Sequence, residues 1–158
     1  MVEIGQPIPS FEAQATGDKI ITQDDFRGHW TVLYFYPKDN TPGCTKEGEG
    51  FRDHYAEFQA LNCEIYGCSR DSLKSHENFK AKYQFPFDLI SDPNETLCRL
   101  FDVIKLKKNY GREYMGIERS TFLIDPDLIL RYEWRKVRVP GHVEAVLEKL
   151  KELQAGAE

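Results

Sequence analysis

Residues 31–36 read TVLYFY, a β-branched and aromatic run whose apolar side chains fall on both faces of an extended segment. Such a run predicts a central strand buried on both sides, and Pro37 ends it because proline has no N–H to give a ladder. Over residues 45–61 the apolar positions Phe51, Tyr55 and Phe58 recur at helical spacing. Residues 64–69 (EIYGCS) predict a second short strand, residues 72–83 a helix with Ser72 as its N-cap, and residues 95–103 a further helix. Residues 120–124 and 129–134 flank Asp125-Pro126-Asp127, a turn signal, and predict a hairpin. Residues 143–153 form an amphipathic helix with Val143, Val146, Leu147 and Leu150 on one stripe.

The resulting order is strand, helix, strand, helix, helix, hairpin, helix. It predicts an α/β fold: a mixed central sheet flanked by helices, with an early parallel crossover and a late antiparallel hairpin. The thioredoxin fold has this order. At 158 residues, 41% of them hydrophobic, the chain is the size of one domain with a single sizeable core, spanning residues 1–158.

Charge narrows the function classes. Charged residues make up 30% of the chain and the formal net charge is −5, which leaves no electrostatic footprint for nucleic acid or an anionic membrane. Two local basic stretches, residues 105–112 and 131–138, read as solvated faces. The opening MVEIGQPIPS lacks the charged start and apolar run of a signal peptide, and no apolar stretch reaches the roughly 20 residues of a membrane span. The chain therefore reads as soluble and cytoplasmic. There its four cysteines stay reduced and are not a disulfide framework.

The informative segment is YPKDNTPGCTKE, from Tyr36 to Glu47. A buried strand ends, a polar loop follows, and a helix begins near Cys44. In an open α/β sheet ligands bind beyond the carboxyl ends of the strands, where helix N-termini point. Cys44 is thus placed among unpaired N–H groups at the positive end of a helix dipole, which favours thiolate over thiol. The flanking Thr, Pro, Gly and Thr make a tight polar turn with no apolar face, unlike the setting of a cysteine used for packing.

Pro37, Thr41 and Cys44 stand in the spacing P-x-x-x-T-x-x-C, which resembles the peroxidatic signature of the peroxiredoxins. YPKDNTPGCT, together with GQPIPSF, DFRGHWTVLYFYP, GCSRDS, FDLISD, GIERSTFLID and VPGHVEAVLEKL, is similar to the bacterioferritin comigratory protein, or Q-type, subfamily over essentially the whole chain. The resemblance implies a thioredoxin fold, reduction of hydrogen peroxide and organic hydroperoxides, and no metal, flavin or haem. It also implies that Arg119 is the active-site arginine beside Cys44; taken alone, Arg119 reads as a surface charge before a strand.

A lowered thiol pKa does not account for such an activity. A thiol of pKa about 8.5 is roughly 3% thiolate at neutral pH, and at pKa about 6 roughly 90%, a gain of about thirtyfold. Nucleophilicity falls with pKa by roughly thirteenfold over the same interval, leaving a net gain of about twofold. The remainder has to come from holding the peroxide and stabilising charge as the O–O bond breaks. Thr41 offers a hydroxyl that donates and accepts, and Arg119 a permanent charge with several donors. N–H groups near Gly43 and Cys44 offer a place for oxyanion charge, Pro37 a shield from solvent, and Glu47 an orienting partner for an arginine or simply a solvated first-turn carboxylate. Gly48 and Gly50 weaken the helix after Cys44 by roughly 1 kcal/mol each, so this turn is expected to open after oxidation.

Attack on peroxide leaves Cys44 as a sulfenic acid that a thiol must reduce. Q-type enzymes carry a resolving cysteine five residues after the peroxidatic one or about thirty-six residues on; here those positions are Glu49 and Lys80. Of the remaining cysteines, Cys63 and Cys68 read as strand packing, and Cys98 is the candidate resolver. The expectation is a one-cysteine cycle in a monomer, with thioredoxin, glutaredoxin or a small thiol as external reductant. The alternative is a redox-sensing or holdase-like binding protein with oxidised Cys44 as its signal. No metal site is expected, because Cys63 and Cys68 lack zinc-site spacing and the four histidines lie far apart. His54, ten residues past Cys44, sits roughly 15 Å along the helix axis and is too far to serve as its base.

Overall fold

The computed structural model describes residues 2–156. The chain opens with a short antiparallel pair, β1 (Glu12–Ala15) and β2 (Lys19–Thr22), followed by a 3-10 turn over Gln23–Phe26. Then come β3 (Trp30–Phe35), α1 (Pro42–Asp53), α2 (Tyr55–Ala60), β4 (Cys63–Ser69), α3 (Leu73–Tyr83), β5 (Asp88–Ser91) and α4 (Thr96–Leu100). A separate two-stranded ribbon, β6 (Ile104–Asn109) with β7 (Arg112–Ile117), precedes the hairpin β8 (Ser120–Ile124) and β9 (Leu130–Trp134). The closing helix is α5 (His142–Ala155). The main sheet has seven strands in the order β2-β1-β5-β4-β3-β8-β9. Within it β3 pairs parallel with β4 and antiparallel with β8.

Every residue of β3 is buried, as its apolar run requires, and its side chains alternate between two cores. Trp30, Val32 and Tyr34 join Phe51, Phe58, Phe79, Val146 and Leu150, the apolar stripes of α1, α2, α3 and α5, on one face. Leu33 and Phe35 join Phe11, Phe26, Leu97, Phe101 and Phe122 on the other. The expected single core is thus two cores sharing one sheet.

Several expected elements shift for identifiable reasons. The helix drawn over 45–61 starts earlier, with Thr41 as N-cap and Pro42 in the first turn, where a missing N–H is harmless. It breaks at His54 (φ −102°, ψ 5°), whose Nδ1 meets the Gly50 carbonyl at 2.9 Å. The helix drawn over 95–103 shrinks to α4, bounded by the left-handed residues Glu95 (φ 61°) and Asp102 (φ 54°). Ser72 does cap α3, accepting from the Ser75 N–H at 3.1 Å. Strands β1, β2, β5, β6 and β7 have no counterpart in the pattern reading. The basic stretch 105–112 lies in the β6–β7 ribbon, turned by Tyr110 (φ 52°) and Gly111 (φ 76°), a two-residue turn of the kind that matches strand twist. In the stretch 131–138, Arg131 and Arg135 lie over Trp30 and Phe122 and pair with Asp125 and Glu133.

Gly48 and Gly50 have a packing role that spacing alone did not show. A Cβ on Gly48 would enter the Phe85 ring, and one on Gly50 would lie 2.9 Å from Val143 Cγ2. These glycines let α1 approach the α3–β5 connection and α5 closely, whatever they also concede in helix propensity.

Candidate active site

The β3–α1 loop leaves the sheet between β4 and β8, at the carboxyl end of β3. Asn40 turns it through the left-handed region (φ 64°), and Thr41 caps the helix with extended backbone (φ −85°, ψ 154°). The Thr41 carbonyl accepts the first helical hydrogen bond, from the Thr45 N–H at 2.9 Å. The N–H groups of Gly43 and Cys44 precede that bond and point out of the helix end, while Pro42 has none. The Thr41 hydroxyl does not cap the helix; it donates to the Lys38 carbonyl at 2.9 Å, and its oxygen still has capacity to accept. Pro37 is half-buried at the start of the loop.

Cys44 occupies the first turn of α1 and is 2% exposed. Arg119 reaches it from the short link between β7 and β8. Its carbonyl accepts from the Val137 N–H at 3.0 Å, which fixes the backbone there. The guanidinium then forks: Nη2 donates toward Cys44 Sγ at 3.4 Å and Nη1 donates to Glu47 Oε1 at 2.6 Å. Gly43 makes room for this fork, since a Cβ there would stand 3.2 Å from Nη2. Burial works against the charge of Arg119, but the Glu47 carboxylate and the Cys44 sulfur raise its pKa above the ordinary guanidinium value.

Glu47 is fully buried and its Oε2 has no hydrogen-bond partner among the described residues. Burial lifts its carboxyl pKa to about 7 against the opposing pull of Arg119. The solvated first-turn carboxylate weighed from sequence is therefore excluded, and Glu47 is an internal partner of the arginine. Two further groups approach the same guanidinium. Lys107 of β6 is half-buried; burial and the nearby Arg119 lower its pKa, while Cys44 pulls the other way. His142, at the start of α5, meets Thr121 Oγ1 at 2.8 Å, and burial followed by Arg119 pushes its pKa down to about 4. Neither stands near Cys44 in the chain, and nothing in residue spacing marks them.

The other cysteines are fully or almost fully buried. Cys98, the candidate resolver, belongs to the opposite core together with Cys68. Both are separated from Cys44 by the sheet itself. Cys63 shares the Cys44 core but pairs with Trp30 at the start of β3, roughly 17 Å along the strand from its carboxyl end.

Metal-type ligands converge twice, at Cys68, Asp92 and Cys98 and at Asp39, Asp71 and His76, each set within 4.8 Å. Both oxygens of Asp92 already accept backbone N–H groups, from Leu97 and Cys98. Asp39 is likewise engaged by protein donors. Among the described residues no helix is long and apolar enough to cross a membrane.

A helix N-terminus, a buried thiol and a two-pronged arginine can together bind a small polar oxidant and receive negative charge as a bond to oxygen breaks. Comparison with known proteins agrees. The AhpC/TSA family profile matches residues 4–133. Peroxiredoxin Bcp of Bacillus subtilis is 49% identical over 152 residues, covering 96% of this chain and 97% of that protein. The crystal structure of a Xylella fastidiosa PrxQ mutant superposes with a TM-score of 0.92 at 46% identity, covering 100% of this chain and 99% of that one. The bacterioferritin comigratory protein of Xanthomonas campestris, studied for alkyl peroxide reduction, gives a TM-score of 0.86 at 51% identity and 90% coverage of both chains. These matches favour the enzyme over the binding-protein alternative. The chain belongs to the AhpC/TSA family, within its Bcp/Q-type peroxiredoxins of thioredoxin fold, and is a thiol peroxidase.

Proposed function

We propose that Cys44 is the peroxidatic nucleophile, that Thr41, Arg119 and Pro37 complete the catalytic site, and that Gly43 and Glu47 shape the substrate end of it. The observation that carries this reading is the Arg119 fork, which spans Cys44 Sγ and Glu47 Oε1 at the N-terminus of α1. The thiolate attacks one oxygen of the peroxide; the S–O bond forms as the O–O bond breaks. The departing oxygen leaves as water or alcohol after taking a proton, and Cys44 becomes a sulfenic acid. The Gly43 and Cys44 N–H groups and the Arg119 guanidinium face the charge that develops. The Thr41 hydroxyl, with its oxygen free to accept, holds the peroxide proton and orients the O–O bond.

An external thiol then attacks the sulfenic sulfur, releasing water and leaving a mixed disulfide at Cys44. A second thiol frees Cys44 and carries off the disulfide. Placement of Cys68 and Cys98 across the sheet, and of Cys63 at the far end of β3, supports this one-cysteine cycle. The reading takes hydrogen peroxide and alkyl hydroperoxides as substrates, the latter by analogy with the Xanthomonas protein. It takes thioredoxin, glutaredoxin or a small thiol as reductant and one cytoplasmic domain acting as a monomer. Intact-mass analysis after one equivalent of peroxide tests it. A gain of one oxygen at Cys44, converted by a small thiol to a mixed disulfide, is expected. A stoichiometric internal disulfide would overturn the one-cysteine cycle.

A further inference from the structure

Thr41 and Pro37 face the peroxide only if the loop between them is held still, and its polypeptide offers few means of holding it. Within residues 37–41 the Thr41 hydroxyl bonds the Lys38 carbonyl, an internal tie. The hydrogen bonds that join this loop to the β4–α3 region all run through Asp39. Its backbone N–H donates to Asp71 Oδ2 at 2.9 Å. Its carboxylate, 2% exposed, accepts from Tyr36 Oη at 2.7 Å on Oδ1 and from Ser75 Oγ at 2.7 Å on Oδ2. Oδ2 also lies 2.8 Å from Nδ1 of His76, a side chain with no exposed surface.

The other end of that imidazole is fixed as well. Nε2 lies 2.9 Å from the Ile90 carbonyl, which can only accept, so Nε2 carries a proton and donates to β5. Nδ1 and Oδ2 then share one further proton between them, whichever atom holds it. The chain of contacts runs from β5 through His76, in the first turn of α3, to Asp39, midway between Pro37 and Thr41. A surface acid in a loop would not be buried with three side-chain partners; a buried carboxylate persists only when they are supplied.

We propose that Asp39 and His76 are positioning residues for peroxide attack: a buried clasp that anchors the β3–α1 loop to the first turn of α3. The inference rests on the reading of Cys44, Thr41 and Pro37 given above. The clasp touches neither sulfur nor substrate. It acts through the loop backbone, so it bears on reactions that need an aligned peroxide and leaves untouched those that need only the sulfur.

That distinction supplies the test. The rate of Cys44 oxidation by hydrogen peroxide is measured by stopped-flow fluorescence, and the rate of its alkylation by iodoacetamide by intact mass. Their ratio is compared among wild type, Asp39→Ala, Asp39→Asn and Ser75→Ala, with urea midpoints recorded alongside. In Asp39→Ala the ratio should fall by about tenfold to a hundredfold, the scale of a misplacement near 1 Å. Asp39→Asn should restore most of it, because the amide oxygen still accepts from Tyr36 and the amide N–H donates to a neutral His76. Ser75→Ala, which deletes a single bond to the carboxylate, should show a smaller fall. A purely structural role would lower the urea midpoint and leave the ratio in folded protein at its wild-type value, and that result overturns the proposal. If Asp39→Ala does not fold, an unchanged ratio in Ser75→Ala overturns it equally. Wild type that prefers peroxide over iodoacetamide no more than a free thiol does would instead sink the assignment of the peroxidatic site itself.

Discussion

Cys44 and the Cys68–Cys98 pair are buried to nearly the same degree on opposite faces of one sheet, yet their polar surroundings differ. Around Cys68 burial pushes the thiol pKa well up, reinforced by its hydrogen-bonded neighbour Cys98 and by Asp92. The nearest polar groups there are turned to other work, Asp92 capping α4 with both carboxylate oxygens. Around Cys44 the neighbours are a helix N-terminus and a guanidinium held by a buried carboxylate. Exposure therefore does not separate these cysteines; the direction of the nearby dipoles and charges does.

The largest test of this contrast is substitution on each face. Cys44→Ser should abolish thiol-dependent peroxide turnover in a folded protein. Cys68→Ser and Cys98→Ser should each keep turnover close to wild type, despite some loss of packing. Turnover that vanishes in Cys98→Ser would erase the distinction between the faces.

Next in size is Arg119→Ala. Removal of one preorganised donor at a site of developing charge lowers such rates by about 10²- to 10³-fold. The loss should persist at a pH high enough to ionise any accessible thiol. A rate that returns to wild type there would show that Arg119 serves ionisation only, and would make the two environments differ in degree alone.

Gly48→Ala asks how tightly the Cys44 face is built. Alanine gains about 1 kcal/mol in helix propensity, but its Cβ meets a Phe85 ring that is itself stacked on Phe87 at 5.2 Å and edged by Phe79 at 5.0 Å. Overpacking of about 1–3 kcal/mol should win, giving a net loss on the order of 1 kcal/mol in urea unfolding. An unchanged or raised urea midpoint would mean that Phe85 yields and that the glycine serves flexibility instead.

An effect of similar size is the pH dependence contributed by Glu47. Its folded pKa of about 7 lies above its unfolded value, so its contribution to stability is full below the unfolded pKa and is lost as pH rises through about 7. Glu47→Gln should remove that slope and unfold at higher denaturant concentration than wild type at pH 8, by about 1–2 kcal/mol once the lost pairing with Arg119 is allowed for. Parallel stability–pH curves for the two proteins would show that Glu47 does not bear this burden.

Much of the fold and the centre of the site could be read from sequence because the signals were local. A six-residue apolar run ending in Pro37 marks β3, a stripe at helical spacing marks α5, and a polar turn between strand and helix marks Cys44. Arg119 entered only through family likeness, since it lies 75 residues from Cys44 and looks like any charge before a strand. The ribbon β6–β7 escaped because its alternation, Ile104 to Lys107, lasts only four residues before two more polar positions; it buries only its base, Ile104, Gly116 and Ile117, and leaves Leu106 exposed.

Local order along the chain determines which segments become strand or helix, and the sequence alone settled that Cys44 begins a helix after the central strand. Which face each cysteine occupies depends on strand parity and pairing across the sheet. Whether Glu47 is solvated or sealed depends on Arg119 arriving from the β7–β8 link. The meeting of Asp39 with His76 joins residues 37 apart on a loop and a helix. These are decided only by tertiary structure, because burial and charge pairing belong to groups that packing brings together and that no local pattern connects.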